Sequence, residues 1–323
     1  MTLAPWHDEA WRLLDARRRG GTLPHALLLA GAAGLGKREF AAAFATGLLC
    51  RSPRADGTAC GECRACRLVA AGSHPDLVRI GLELRDDGKP RTEIVVEQIR
   101  VLGERIAMTA QFGGVQIALI DPADAMNPSA ANALLKTLEE PTPATLIVLI
   151  ADQPARLPAT IRSRCQRVTL PVPTRAQALA WLGGHGIETK AAESALQASG
   201  GNPGLALRWL RDGGLDVRAE VLTDLRALCT EKTSAVEVAN RWGRTDAETR
   251  LWFAAAVLRD EADARARDAP GPLTLTPRPD FTKLSSWFDQ ANRARELLRG
   301  PLRAELVVLE ALSGMAPGAK TAR

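Results

Sequence analysis

The sequence predicts an α/β protein in which a parallel sheet covered by helices gives way to an all-helical C-terminal part. Three observations predict it. Short apolar runs of strand length alternate with stretches of helical spacing through the first half. A glycine-rich loop follows the first of these runs and opens a helix. After Pro171-Val-Pro-Thr174 the strand signals stop, and the rest is rich in Ala and Leu at helical spacing.

The apolar runs are Ala26-Leu-Leu-Leu-Ala30, Val115-Gln-Ile-Ala-Leu-Ile120 and Thr145-Leu-Ile-Val-Leu-Ile150, with Asp76-Leu-Val-Arg-Ile80 as a fourth candidate. Between them Ile99, Leu102 and Ile106 recur at i, i+3, i+7. Ala131, Leu134 and Leu138 do the same, with Leu135 at i+4, which is the apolar stripe of a helix packed on a core. Asn127 before Pro128 reads as an N-cap followed by proline at the first helical position. Gly200-Gly-Asn-Pro-Gly204 and Asp212-Gly-Gly214 punctuate the later helices, and from about Leu215 the chain reads as a separate helical domain. Within it, Ala269 to Pro279 makes a rigid loop, because its prolines cannot continue a helix. The residues leading to Arg323 read as a frayed tail.

A chain of 323 residues with 46% hydrophobic content can bury two or three cores, which excludes fibrous, collagenous and wholly disordered classes. The start lacks the basic and apolar segments of a secretory signal, and no apolar stretch reaches the ~18 residues of a membrane span. The expectation is a soluble cytoplasmic protein. The formal charge of +5 and a pI near 9.1 suit nucleic acid or an acidic partner, and equally an arginine-rich solvated surface. With no Tyr and six Phe, the composition does not advertise base-stacking platforms.

Cys50, Cys60, Cys63 and Cys66 fall at the spacing C-x9-C-x2-C-x2-C, while Cys165 and Cys229 stand apart. Four thiolates at such intervals can converge on one tetrahedral zinc. An all-cysteine set leaves no vacant ligand position, so the expected zinc is structural. Disulfides or free thiols are the alternatives, and a cytosolic setting disfavours disulfides.

The loop Gly31-Ala-Ala-Gly-Leu-Gly-Lys-Arg-Glu-Phe40 has the setting a phosphate cradle needs. Gly31, Gly34 and Gly36 supply the turn, and Lys37 matches the phosphate-reaching lysine. Arg38, however, stands where a Ser or Thr hydroxyl would hold magnesium. Asp121 sits where a metal-supporting aspartate belongs, but Pro122 follows it in the place of a catalytic glutamate. Magnesium loses a ligand and water loses its base. Lys37 is then compatible with nucleotide or phosphate held without turnover, or with a solvated lysine at a helix start.

Val115 to Asp124, Asn132-Ala-Leu-Leu-Lys-Thr-Leu-Glu-Glu-Pro141 and Thr160-Ile-Arg-Ser-Arg-Cys165, in that order, resemble a bacterial clamp-loader subunit of the AAA+ class. The cysteine spacing and His74-Pro-Asp76 resemble the same family, from about Trp6 to Asn202. The resemblance implies an AAA+ P-loop domain over residues 1–170 with a zinc module inserted at about 50–66. It further implies a small helical lid over 171–212 and an all-α collar over 213–323. Within that family some subunits hydrolyse ATP and others do not. Arg38 and Pro122 depart from the hydrolysing pattern. So do Ile150-Ala-Asp152, which lacks the Thr or Asn that senses the γ-phosphate, and Gly204, which stands where the lid would carry an arginine. The four departures imply a non-hydrolysing subunit, with an ATP-hydrolysing motor subunit as the alternative.

The resemblance also implies that Arg164, within Ser163-Arg164-Cys165, reaches in trans to a neighbour's γ-phosphate as an arginine finger; pairing with a local carboxylate is the alternative. The implied partners are motor (tau/gamma) and delta subunits in a five-membered ring, and through the ring a sliding clamp and primed DNA. Asn132, Lys136 and Glu139 would lie on the polar side of their helix, and Leu297, Leu298, Leu306, Val307 and Leu309 would serve the collar. A different class of reading makes the Cys50 to Cys66 segment a nucleic-acid-binding module. That segment carries Arg51, Arg54, Arg64 and Arg67, but no aromatic residue.

Overall fold

The computed structural model describes residues 3–84, 88, 91–276, 279–298, 300 and 302–315. The expected tail and two residues of the proline-rich loop lie outside them. Five parallel strands, β1 (Ala26–Ala30), β2 (Leu77–Ile80), β3 (Gln116–Ile120), β4 (Thr145–Ala151) and β5 (Gln166–Thr169), form one sheet in the order β2-β3-β4-β1-β5. Ala26 pairs with Ile147 and Ala30 with Ala151, while Leu27 pairs with Gln166 on the other side. Every residue of β1, β3 and β4 is buried, as expected for parallel strands covered on both faces.

Alternation along β1 divides the core. Ala26, Leu28 and Ala30 face α4 (Val96–Ile106) and α5 (Pro128–Glu139), against Ile99, Leu102, Ile106, Leu134 and Leu138. Leu27 and Leu29 face Trp11 and Leu14 of α1 (Asp8–Arg19) and Phe40 and Phe44 of α2 (Lys37–Leu49). Each such large side chain contributes about 1.5–3 kcal/mol by leaving water. Asn127 caps α5 by accepting from the Ala130 N–H at 2.9 Å. Leu135 is only partly buried, and Asn132, Lys136 and Glu139 are exposed.

The edge strand β5 is not legible in the sequence, because Gln166-Arg167-Val168-Thr169 buries only Val168. Asp76 also lies just outside β2, where its carboxylate has another task described below. The remaining helices are α3 (Arg64–Ala70), α6 (Ala159–Arg162), α7 (Arg175–Gly184), α8 (Thr189–Ala198), α9 (Pro203–Asp212), α10 (Gly214–Cys229), α11 (Ala235–Gly243), α12 (Ala247–Ala266), α13 (Phe281–Leu297) and α14 (Ala304–Ser313).

The chain divides into two compact units, Met1–Ala192 with Gly201–Leu205, and Glu193–Gly200 with Ala206–Arg323. In the second unit α12 packs on α13 and α11 on α14, around Trp242, Leu251, Phe253, Leu284 and Val308. Buried Glu261 accepts from the Leu273 N–H at 2.8 Å and so ties down the proline-rich loop. Of the apolar positions expected to serve the collar, Val307 is buried, Leu297, Leu298 and Leu309 are half-buried, and Leu306 is exposed. Among the described residues no helix is long and apolar enough to cross a membrane.

Candidate functional site

Strand β1 ends at Ala30 and α2 begins at Lys37, so the glycine-rich loop spans 31–36 at the carboxyl edge of the sheet. Its backbone is held from several sides. The Leu35 carbonyl accepts from Trp6 Nε1 at 3.0 Å and from His7 Nε2 at 2.7 Å. His7 therefore carries its proton on Nε2, and burial holds its pKa below the usual histidine value. Asn202 Nδ2 donates to the Ala33 carbonyl at 2.6 Å, while its Oδ1 accepts from the Leu205 N–H at 3.1 Å.

The packing around this loop is close. Gly36 caps α2 at φ 78°, and a Cβ there would stand 2.7 Å from His7 Cε1. A Cβ on Gly204 would stand 2.1 Å from the Gly34 carbonyl oxygen. Gly204 thus admits the Gly201–Leu205 segment to contact with the loop, where any side chain would push it away.

The charged groups complete the closure. Lys37 Nζ donates to the carbonyls of Gly31 and Ala32, both at 2.7 Å, and lies 2.5 Å from Asp152 Oδ1. Its side chain is 1% exposed, so the reading of a solvated lysine is corrected: the ammonium is folded into its own loop. Arg38 Nε donates to Asp121 Oδ2 at 2.9 Å and its NH2 to Asp152 Oδ2 at 3.2 Å. Burial alone would raise the Asp152 carboxyl, but the hydrogen bond and charge of Lys37, with Arg38 behind it, bring its pKa below the usual range. For Asp121 burial wins and the pKa rises, although Arg38 opposes it.

Two cations and two carboxylates thus neutralise one another at the mouth of the loop. The lysine that would reach a phosphate is bonded to carbonyls, and the aspartate that would support a metal is bonded to a guanidinium. Asp152, Asn202 and His7 are the members that sequence reasoning missed. Asp152 showed only as the absence of a Thr or Asn, although a carboxylate at a strand end beside two cations was a readable signal.

The four cysteines come together. Their sulfurs all lie within 4.8 Å of one another, with Cys50–Cys60 at 3.5 Å and Cys50–Cys63 and Cys60–Cys66 at 3.9 Å. Four sulfurs about 2.3 Å from a tetrahedral zinc stand about 3.8 Å apart, so the set can hold one metal ion of that size and softness. Backbone N–H groups support the thiolate forms: those of Glu62 and Cys63 point at Cys60 Sγ, at 3.5 and 3.4 Å, and that of Cys66 at Cys63 Sγ, at 3.5 Å. These donors lower the Cys60 pKa. All six cysteines are unbridged.

The module has a neighbour that the sequence did not reveal. Asp76 accepts from the N–H groups of Gln111, at 2.7 Å, and Phe112, at 2.9 Å, and so fixes the turn before β3. That turn places the Phe112 ring under the guanidinium groups of Arg51 and Arg64, each 5.6 Å from the ring centroid. His74 packs on the same ring at 4.9 Å. His74-Pro-Asp76 is therefore a clamp for a distant loop.

Arg164 lies just after α6 and is partly exposed. Its NH2 pairs with Glu139 Oε1 at 2.6 Å and its NH1 donates to the Thr160 carbonyl at 3.0 Å. The local carboxylate partner weighed from the sequence is thus present, and it belongs to the polar side of α5.

Comparison with known proteins agrees with this layout. A family model described as DNA polymerase III, delta subunit, matches residues 6–174. Over 240 residues the chain is 43% identical to the DNA polymerase III subunit delta' of Pseudomonas aeruginosa, covering 74% of this chain and 70% of that one. Against the delta' subunit of Escherichia coli it is 32% identical over 257 residues, covering 79% and 75%. A shorter stretch of 143 residues is 38% identical to the tau/gamma subunit of Haemophilus influenzae, covering 44% and 20%. By the family model over residues 6–174 and these relatives, the chain belongs to the DNA polymerase III delta' family of clamp-loader components.

Proposed function

We propose that the chain acts in the cytoplasm as a non-hydrolysing stator, lending Arg164 to ATP held by a neighbouring motor subunit while the ring loads a sliding clamp onto primed DNA. The observation that carries the first half is the neutralised mouth of the loop. With Lys37 bonded to two loop carbonyls and Arg38 bridging Asp121 and Asp152, the cations and carboxylates of the loop mouth are engaged with one another, and Pro122 stands where an acid would activate water. The second half rests on chemistry. Charge grows on the oxygens of a transferred phosphoryl group, and a guanidinium supplied in trans raises the rate by a factor of about 10³–10⁵. Arg164 has an exposed carboxylate and one exposed carbonyl, that of Thr160, to leave, and an exposed ion pair is worth about 1 kcal/mol at most.

In this reading residues 171–212 form a lid and 213–323 a collar that joins tau/gamma and delta neighbours. Cys50, Cys60, Cys63 and Cys66 hold a structural zinc. The glycine loop with Gly31, Gly34, Gly36 and Lys37 holds nucleotide, if at all, without turnover. Incubation of the purified chain with ATP and magnesium tests the reading: no phosphate release above background is expected, and steady release that vanishes in Lys37→Ala contradicts it in favour of a motor subunit.

A further inference from the structure

We infer that the cysteine module carries a phosphate clamp, in which Arg51 and Arg64 are held over Phe112 to grip the backbone of a nucleic-acid strand. Three features support it. First, both guanidinium groups lie over one ring, 5.6 Å from its centroid, so they stand within about 11 Å of each other. Arg51 is fixed further by donating to the Phe112 carbonyl at 2.7 Å. Phe112 is in turn fixed by the Asp76 carboxylate, and Asp76 is anchored by its own N–H to His74 Nδ1 at 3.1 Å. The two arginines are thus ordered before any ligand arrives, which spares the entropy of fixing long side chains.

Second, the cations are not tied up in ion pairs. Arg51, Arg54, Arg64 and Arg67 are all exposed, and among the described residues none forms a salt bridge. The module has two acids for four arginines: Asp56, which accepts from the Thr58 N–H at 2.9 Å and hydroxyl at 2.6 Å and lies near Arg54, and Glu62.

Third, the surface is polar. Among the described residues no large apolar side chain between 50 and 67 is exposed, so the module lacks the apolar anchors that carry protein–protein binding. A polyanion that releases counterions fits it better than an acidic protein segment. Phe112 is covered by guanidinium groups and His74, so the contact reads phosphates and not bases.

The test uses the full chain and fluorescein-labelled dT20, with anisotropy read between 50 and 300 mM salt. Arg51→Gln/Arg64→Gln is expected to weaken binding about tenfold or more near 0.1 M salt and to make the slope of log Kd against log salt shallower by about 1.4. Phe112→Leu keeps both charges but removes their platform, so it should weaken binding while leaving the slope near that of the wild type. Metal content and thermal melting check that both variants fold, and Arg54→Gln/Arg67→Gln, which leaves the ring unchanged, serves as a second charge-matched pair with a smaller loss. Affinity unchanged in Arg51→Gln/Arg64→Gln, an equal loss in both pairs, or binding of poly-glutamate in place of dT20 would each overturn the proposal.

Discussion

Lys37 is buried among two carbonyls and a carboxylate, and its neighbour Arg38 shares that carboxylate. Removing the charge of Asp152 leaves a buried ammonium with dipoles alone, so Asp152→Asn should cost about 1–3 kcal/mol in urea unfolding. The same pair sets an acid limit. The Asp152 pKa is lower folded than unfolded, so the unfolded chain binds more protons, and the stability it contributes is present above about pH 4 and lost as pH falls through the folded value. Asp121, whose pKa is raised, works in the opposite sense above about pH 4. Asp152→Asn should therefore flatten the acid limb of stability against pH, whereas Asp121→Asn should leave it or steepen it.

Two histidines act nearer neutrality. Burial lowers the pKa of both His7 and His74, so the unfolded chain again binds more protons, and stability should decline as pH falls below about 6.5. His7→Gln keeps a donor for Leu35 without a titrating group, and should remove part of that decline in thermal melts taken from pH 7.5 to 5.5.

Among the elements, the cysteine module too is built on close approaches. A Cβ on Gly57 would stand 2.2 Å from Asp15 Oδ1, and its φ is 81°. A Cβ on Gly47, inside α2, would meet the Gly57 carbonyl at 2.5 Å. Gly57→Ala should cost about 1–3 kcal/mol through strain and displaced contacts, read by denaturant unfolding. Chelation with EDTA, or Cys63→Ser, should release about one metal ion per chain and expose the 50–66 segment to protease, while the parallel sheet persists. What could be read from sequence follows the same physics. β1, β3 and β4 announce themselves because every residue is buried and all but Gln116 and Thr145 are apolar, and α5 because Asn127, Pro128 and its leucines sit at fixed offsets. β5 does not, because an edge strand with one inward residue has no apolar run to show. The four cysteines were legible since their partners are close in sequence; Phe112, far along the chain from Arg51, was not.

At the scale of the molecule, two of the departures from the hydrolysing pattern, Arg38 and Asp152, turn out to be bonded to each other, which sequence alone did not show. Arg38, Asp121 and Asp152 were each visible as substitutions or survivals, but only the fold joins them into one network with Lys37. Asn202 reaches Ala33 across 169 positions, a distance no local pattern spans. Gly204 read as a missing arginine, and the fold adds that a side chain there would collide with the loop. Arg164 was found by motif and its Glu139 partner by geometry; Glu139→Gln should free the guanidinium and leave ring assembly intact, raising basal ATP turnover of the loader by a few fold at most. The most direct measurement is DNA-stimulated phosphate release by the reconstituted loader carrying Arg164→Ala, with assembly followed by gel filtration. The share of hydrolysis belonging to the adjoining motor site should fall by about 10³ or more while the ring still forms. Wild-type hydrolysis in that variant would contradict the account.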